Sequence, residues 1–337
     1  MESPINGSQG TGVTNMAFEL SIVVPAYNEA DGLEVFLDEL NRALEPFEKS
    51  EIIVVDDGSR DATLSLLKRR AHDNPRLKFI SLTRNFGHQS ALRAGLEFAS
   101  GDAVISMDAD LQHPPALIEQ LVERWRAGFK VVNMVRNEQG GTWFKRVTSA
   151  LYYRLINAIS DYRVEPGSSD FRLLDRDVVT AIRQLPEHSV FLRGLIPWLG
   201  FEQCHVRYDP DQRAAGQSKY NLGRMIRLGL AGVTSSSLRP LHLSTVFGTV
   251  MSVLAMSYAV YALCIKIFVG TAISGWTSLL ISVMLLGGVQ LIMLGIIGEY
   301  VGRVLLEVKG RPNFLVRESN LESAHSDRVS DRATPER

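Results

Sequence analysis

The chain has 337 residues, 45% of them hydrophobic, and a formal net charge of −1. That length supports one large or two modest domains with a buried core, and the balanced charge creates no global field to draw nucleic acid, so none is expected as a partner. The two cysteines, Cys204 and Cys264, lack CxxC spacing, which argues against a zinc site or disulfide framework and fits a reducing compartment.

Residues 1–17 are rich in Gly, Ser, Thr and Asn without an apolar block, and read as a disordered leader rather than a signal peptide. From 18 to 222 strand-like and helix-like segments alternate. LSIVVPAYNE is an apolar, β-branched run that ends at Asn28 and Glu29, and Leu33, Phe36, Leu37, Leu40 and Leu44 then recur at helical spacing. EIIVVDDGS is a second strand, after which Asp61 can cap the helix in ATLSLLKRRAH. LKFISL is a third strand, followed by a loop and helix in NFGHQSALRAGLEFASG that Gly101 closes. AVISMDAD is a fourth, with a helix in LIEQLVERWRAG. This alternation, with strands apolar throughout, predicts an α/β fold whose mostly parallel sheet is covered on both faces. Ligands bind at the carboxyl ends of such strands. The polar clusters at Asn28-Glu29, Asp56-Asp57-Gly58-Ser59 and Asp108-Ala109-Asp110 are therefore expected to converge on one crevice.

Residues 223–241 mix arginine with apolar residues at helical spacing and predict interfacial helices along lipid headgroups, a plain linker being the alternative. Two long apolar runs follow within 242–303, Leu243–Val269 and Trp276–Val301. Each exceeds the ~20 residues that cross a bilayer core. A pair of buried core helices is the competing reading, against which their length and lack of a polar face speak. Arg224, Arg227 and Arg239 precede the first run, and Arg303, Lys309 and Arg311 follow the second. The positive-inside rule then predicts a multi-pass protein of the inner (cytoplasmic) membrane, with catalytic domain and both termini cytoplasmic. Gly287, Gly288, Gly295 and Gly298 would allow close helix packing, and a homo-oligomer is expected. Residues 304–337 form a cytoplasmic tail, polar beyond Arg317 and expected to be disordered there.

MDADLQHPP raises the chemical question. Two carboxylates two residues apart crowd negative charge at a strand end, and with Gln112 they look like oxygen ligands for Mg²⁺ or Mn²⁺. The bland alternative has Asp108 capping the next helix and Asp110 solvated. Neither a GxGxxG fingerprint at the first strand–helix turn nor a Gly-Lys-Ser/Thr phosphate loop occurs, so the sheet must hold its ligand differently. His88 and His113 lack helical ligand spacing and read as satisfied polar contacts.

VVPAYNE, VVDDGSRDAT, RNFGHQSALRAG and MDADLQHPP, in that order, resemble the glycosyltransferase family 2 enzymes of GT-A fold. SSDFRLLDRDVV, RAAGQSKYNL and GIIGEYVGRVLLEVKGRPNF narrow the resemblance to polyprenyl-phosphate glycosyltransferases, the group of bactoprenol glucosyl transferase and dolichol-phosphate mannose synthase. The similarity covers residues 18–317. It implies inverting transfer of a hexose from a nucleotide sugar, UDP-glucose favoured, to a membrane polyprenyl phosphate, with GDP-mannose or another UDP-sugar as alternative donors. It further implies that Pro25, Tyr27, Glu29 and Asp57 hold base and ribose with support from Asp56 and Asp108, and that Asp108, Asp110 and Gln112 surround the metal. Asp110 and Asp170 would be catalytic, and Arg136, Arg213, Ser218 and Lys219 would bind phosphate. The chain departs from the family at Gln139, where a second arginine is expected; Lys145 and Arg146 are the nearby cations.

Chemistry bears on Asp170. A phosphate monoester has a second pKa near 6 and is mostly dianionic at pH 7, so it scarcely needs a base. Asp170 is then either a base or an orienting group, and a partner for Arg172 is the structural alternative. Two other functions compete with this one. A processive polysaccharide synthase would carry a QxxRW-type motif, which RGLIPWLG does not match. A non-catalytic membrane partner would not be expected to keep Asp108, Asp110 and Asp170.

Overall fold

A computed structural model describes residues 18–110, 113–136, 168–185, 192–208, 239–268 and 275–321. Expectations that fall elsewhere lie outside the described residues: the leader, Gln112, Gln139, Lys145, Arg146, most of the interfacial segment, and Arg213, Ser218 and Lys219.

The apolar runs become strands β1 (Leu20–Ala26), β2 (Ser50–Asp56), β3 (Leu77–Leu82) and β4 (Ala103–Ser106). Between and after them come α1 (Ala30–Ala43), α2 (Thr63–Asp73), α3 (His88–Phe98) and α4 (Ile118–Arg126). Further on are β5 (Val131–Arg136), β6 (Ser168–Asp175), α5 (Arg176–Gln184), α6 (Leu192–Trp198) and β7 (Gln203–Tyr208). Two long helices, α7 (Arg239–Phe268) and α8 (Trp276–Val308), precede a short strand β8 (Val316–Ser319).

The strands form one mixed sheet in the order β7-β5-β6-β4-β1-β2-β3-β8. Strands β3, β2, β1 and β4 run parallel, while β6 and β8 enter antiparallel. Alternate strand residues serve opposite faces. Ile22, Val24, Ile52 and Val54 pack with the α1 stripe Leu33, Phe36, Leu37 and Leu40 on one face. Val23, Ile53, Val55 and Val104 pack with Leu92 of α3 and Val178 and Ile182 of α5 on the other. Both faces are covered, as continuous apolar strands demand.

The strand order reverses between β1 and β4. At such a switch point neighbouring loops diverge and leave a crevice beyond the strand ends. Glu29 follows β1 and Asp108 follows β4, so the crevice opens between the two acidic clusters that the sequence singled out.

Three expectations change. Among the described residues one helix, Ser282–Val308 within α8, is long and apolar enough to cross a membrane, and α7 holds a shorter apolar stretch, Gly248–Tyr258. The apolar face of α8 is largely exposed, with Met284 and Leu291 each 70% accessible. The apolar run expected to end at Val301 is carried by α8 to Val308, since Val304, Leu305, Leu306 and Val308 are apolar too and Arg303 pairs with Glu299 one turn back. The polar tail is not structureless at its start. Residues 316–319 pair with β3, and the Asn320 side chain accepts from the Phe79 amide at 2.7 Å and donates to the Leu77 carbonyl at 3.1 Å. Composition alone missed this because edge strands are often polar.

Candidate active site

The first loop sets the rim. Asn28 adopts φ +55°, a left-handed conformation that asparagine tolerates, and it turns the chain sharply after β1. Its amide donates to Ser59 Oγ at 3.0 Å, and its Oδ1 accepts from the Arg60 amide at 2.8 Å, locking the β1 and β2 loops together. Asp61 does more than cap α2. Its Oδ1 accepts from the Thr63 amide at 3.1 Å, and its Oδ2 accepts from the Ala30 amide at 3.1 Å, joining two helix N-termini. Pro25 is buried within β1, whereas Tyr27 is 41% exposed and presents its ring at the crevice edge.

Asp56 and Asp57 divide in role. Asp56 is fully buried; its Oδ1 accepts from the Ser59 amide at 2.9 Å and its Oδ2 from Ser81 Oγ at 2.7 Å. Asp57 accepts from the Phe86 and Gly87 amides at 2.7 and 2.9 Å, bracing the entry to α3. Burial raises the Asp57 pKa against the pull of those two bonds. Gly58 between Asp57 and Ser59 lies at φ +68°, and a Cβ there would sit 2.4 Å from the Arg84 carbonyl carbon, so the turn requires glycine.

The acidic cluster lies opposite. Asp108 Oδ1 is buried without a hydrogen-bond partner. Burial first, and then the charges of Asp170 and Asp110, lift the Asp108 pKa to about 6. Glu29 is raised as well, by burial and then by the charges of Asp110, Asp108 and Asp61. An uncompensated carboxylate oxygen in a ring of acids fits a cation. Among the described residues no group of three His, Cys, Asp or Glu side chains could hold a metal by itself. That is compatible with Mg²⁺ or Mn²⁺, which commonly bind through one or two carboxylates and complete their shell with water and substrate phosphates.

Asp170 occupies the back wall and is 3% exposed. Arg172 Nη2 donates to Oδ1 at 2.8 Å, and Arg193 grips both oxygens, Nε to Oδ1 at 3.1 Å and Nη2 to Oδ2 at 2.9 Å. His88 Nε2 lies 3.2 Å and Gln89 Nε2 3.3 Å from Oδ2. Burial opposes ionisation, but the His88 bond and the Arg193 and Arg172 charges hold the pKa well below the usual range. The pairing with Arg172 that the sequence admitted is real, and it is one of several.

His88 and His113 both make the polar contacts expected of them, with different consequences for the site. His88 belongs to the site: its Nε2 also lies 3.5 Å from Asp108 Oδ1, so it bridges the two acids. Burial disfavours its charged form, but Asp170 and Asp108 outweigh that and raise its pKa. His113 is wholly buried, and burial with the Arg136 charge lowers its pKa to about 3. The neutral ring accepts the Asp108 amide proton at Nδ1, 2.9 Å away, which leaves its own proton on Nε2. Arg136 Nη2 faces that nitrogen at 3.2 Å, donor against donor, while Arg136 Nε donates to Tyr208 OH at 3.0 Å. The tip of Arg136 is thus oriented without a good acceptor in His113.

The structure brings together Glu29, Asp108, Asp110 and Asp170, with Arg136 beside them through His113. Arg193 and Gln89 were not singled out in the sequence, and His88 was read there only as a polar contact, not as a bridge between two acids. Arg193 lies 23 residues from Asp170, and no spacing rule links residues whose contact is made by α6 packing against the sheet. For Gln89 a weak signal existed, because it follows His88 at the first turn of a helix that opens onto the crevice.

Residues 21–183 match the glycosyl transferase family 2 profile. An uncharacterised glycosyltransferase of Synechocystis is 45% identical over 89% of this chain and 95% of its own length. The bactoprenol glucosyl transferase of Shigella phage SfII is 40% identical over 90% of this chain and 98% of its own. A mannosyltransferase from Pyrobaculum calidifontis, solved with GDP-Man and Mn²⁺, covers 85% of this chain and 88% of its own at 19% identity and a TM-score of 0.49, a likeness too partial to carry chemistry across. Identity at this level runs from the first strand through the long helices, across a sheet whose switch point gathers the acids, and the chain belongs to glycosyl transferase family 2, with a GT-A fold.

Proposed function

We propose that this enzyme transfers a hexose, with inversion, from a nucleotide sugar to the phosphate of a membrane polyprenol, and that UDP-glucose is the donor. The observation that carries the proposal is the buried Oδ1 of Asp108 at the switch point, without a hydrogen bond and within the field of Glu29 and Asp110. Identity to a bactoprenol glucosyl transferase along 98% of that protein's length supports the polyprenyl acceptor and the glucosyl donor.

Tyr27 at the rim and Glu29 behind it receive base and ribose, with Asp57 and Asp56 shaping the loop. Asp108 and Asp110, with Gln112, hold a Mg²⁺ or Mn²⁺ ion. When bound, that ion offsets the charge that gathers on the nucleoside diphosphate as it leaves. Arg136, with Arg213, Ser218 and Lys219, takes up phosphate oxygens and lowers the repulsion between a dianionic acceptor and the diphosphate. The acceptor oxygen forms the new bond to the anomeric carbon from the face opposite the leaving diphosphate, and no proton need be removed. Asp170, saturated by donors, holds Arg193 and His88 in place and is not a base.

Chain connectivity supports a two-span anchor. β7 before the long helices and β8 after them belong to one sheet, so the chain between them crosses a bilayer an even number of times. If α8 spans, a second crossing must precede it, and α7 supplies it; Arg303, Lys309 and Arg311 favour the cytoplasmic side for the returning end.

The test is transfer of radiolabelled sugar into organic-extractable lipid. Purified protein, undecaprenyl phosphate and Mn²⁺ should give labelled lipid with UDP-glucose, and EDTA should abolish it. Label from GDP-mannose alone would correct the donor, and label that persists in EDTA would remove the metal.

A further inference from the structure

The strand that follows the membrane helix is tied to the donor loop. Between Ser81 and Leu82 the β3–β8 ladder shifts register: Ser81 faces Glu318, but Leu82 faces Val316, so Arg317 is the extra residue of a bulge. In an unbroken ladder Arg317 would oppose Leu82, a fully buried member of the apolar layer beneath the sheet. The bulge instead gives that layer Val316 and turns the Arg317 side chain towards Ser81, as bulges that re-aim a side chain do.

A continuous chain of hydrogen bonds begins there. Arg317 Nη2 donates to Ser81 Oγ at 2.9 Å, and Ser81 Oγ donates to Asp56 Oδ2 at 2.7 Å. Asp56 Oδ1 accepts from the Ser59 amide at 2.9 Å, and Ser59 Oγ accepts from the Asn28 amide at 3.0 Å. Asp56 and Ser81 are both fully buried. A buried carboxylate needs compensation. Among the described residues Arg317, with Nη2 3.9 Å from Asp56 Oδ2, is the cation within ion-pair distance of it. Asn320 fastens the far end of the same strand to β3.

We propose that Arg317 is a positioning residue of the donor site: the segment returning from the membrane completes the base of the nucleotide pocket by holding Asp56, and through it the Ser59 and Asn28 loops. This rests on the donor-site reading given above. It gives β8 a role beyond closing a sheet edge, and it couples the anchor, through the seven residues from Lys309 to Leu315, to the shape of the nucleotide pocket.

The full-length protein in detergent provides the test, with Arg317→Gln, Arg317→Lys and, as a control, Lys68→Ala on α2, which breaks that helix's pair with Glu318 of the same strand but not the relay. Hydrogen exchange is read at the Ser59 and Arg60 amides without ligand, and binding is titrated with UDP-glucose and Mn²⁺. Arg317→Gln should speed exchange at both amides and weaken UDP-glucose about fivefold to tenfold, the net scale of one ordinary hydrogen bond. Arg317→Lys should recover most of the loss, and Lys68→Ala should match wild type. Unchanged exchange and binding in Arg317→Gln, or the same losses in Lys68→Ala, would overturn the assignment. Faster exchange in Arg317→Gln, with a wild type that binds neither UDP- nor GDP-sugars, would instead defeat the donor reading and leave the coupling standing.

Discussion

At the scale of single residues the site is a problem in charge. Asp108, with one oxygen buried, and the fully enclosed Asp170 are driven in opposite directions because Asp170 is clasped by hydrogen-bond donors and Asp108 Oδ1 has none within hydrogen-bond distance. Burial and neighbouring acids lift Asp108 to about 6, whereas two arginines and a histidine hold Asp170 down. An acid clasped this tightly cannot usefully accept a proton near neutrality. Asp170→Asn would put an amide nitrogen among donors and leave Arg172 buried without its counter-charge. Loss of one partner of a buried pair costs about 3–5 kcal/mol, which urea titration would detect. The rate should fall too, but the acid limb of kcat/KM should stay near pH 6, where the acceptor phosphate titrates. A limb that disappears in Asp170→Asn would restore Asp170 as the base.

The elements are held in register by close backbone approaches as well as by apolar packing. α3 lies on β1 so tightly that a Cβ at Gly95 would fall 2.2 Å from Val23 Cγ1. Gly58 combines a positive φ with a contact to backbone, which cannot move aside as a side chain can. Gly58→Ala therefore incurs both strain and overlap, together at least about 2 kcal/mol. It should lower the melting temperature by roughly 5 °C and weaken donor binding, because the same turn carries Asp57 and Ser59. A variant that melts with wild type would show that the turn relaxes. Much at this scale was legible in the sequence: β1 to β4, their helices, the α1 stripe and the acidic strand ends all follow from apolar periodicity and turn residues. β8 was not, since four residues with a single apolar member, Val316, carry no periodic signal and gain their structure from an open edge on β3.

For the whole molecule, the decisive feature is that the sheet is assembled from both sides of the long helices. The sheet domain and the long helices are not consecutive beads, because the chain leaves the sheet after β7 and rejoins it at β8. In a cysteine-free background, Ser65→Cys on α2 and Ser319→Cys on β8 should be labelled by an impermeant maleimide from the same face of the membrane. Both should react in inverted vesicles and neither in intact spheroplasts. Labelling of the two from opposite faces would contradict the sheet.

Local patterning was enough to specify the class of fold, the succession of its core strands along the chain, the apolar helices and the acidic strand ends, because periodicity and strand-end polarity are properties of neighbouring residues. Which donors saturate Asp170, why Asp108 Oδ1 is left without a hydrogen bond, and how Arg317 reaches Asp56 across more than 250 residues of chain were settled by packing. Contacts between distant segments depend on strand order and on a one-residue bulge, and neither leaves a mark on the residues beside it.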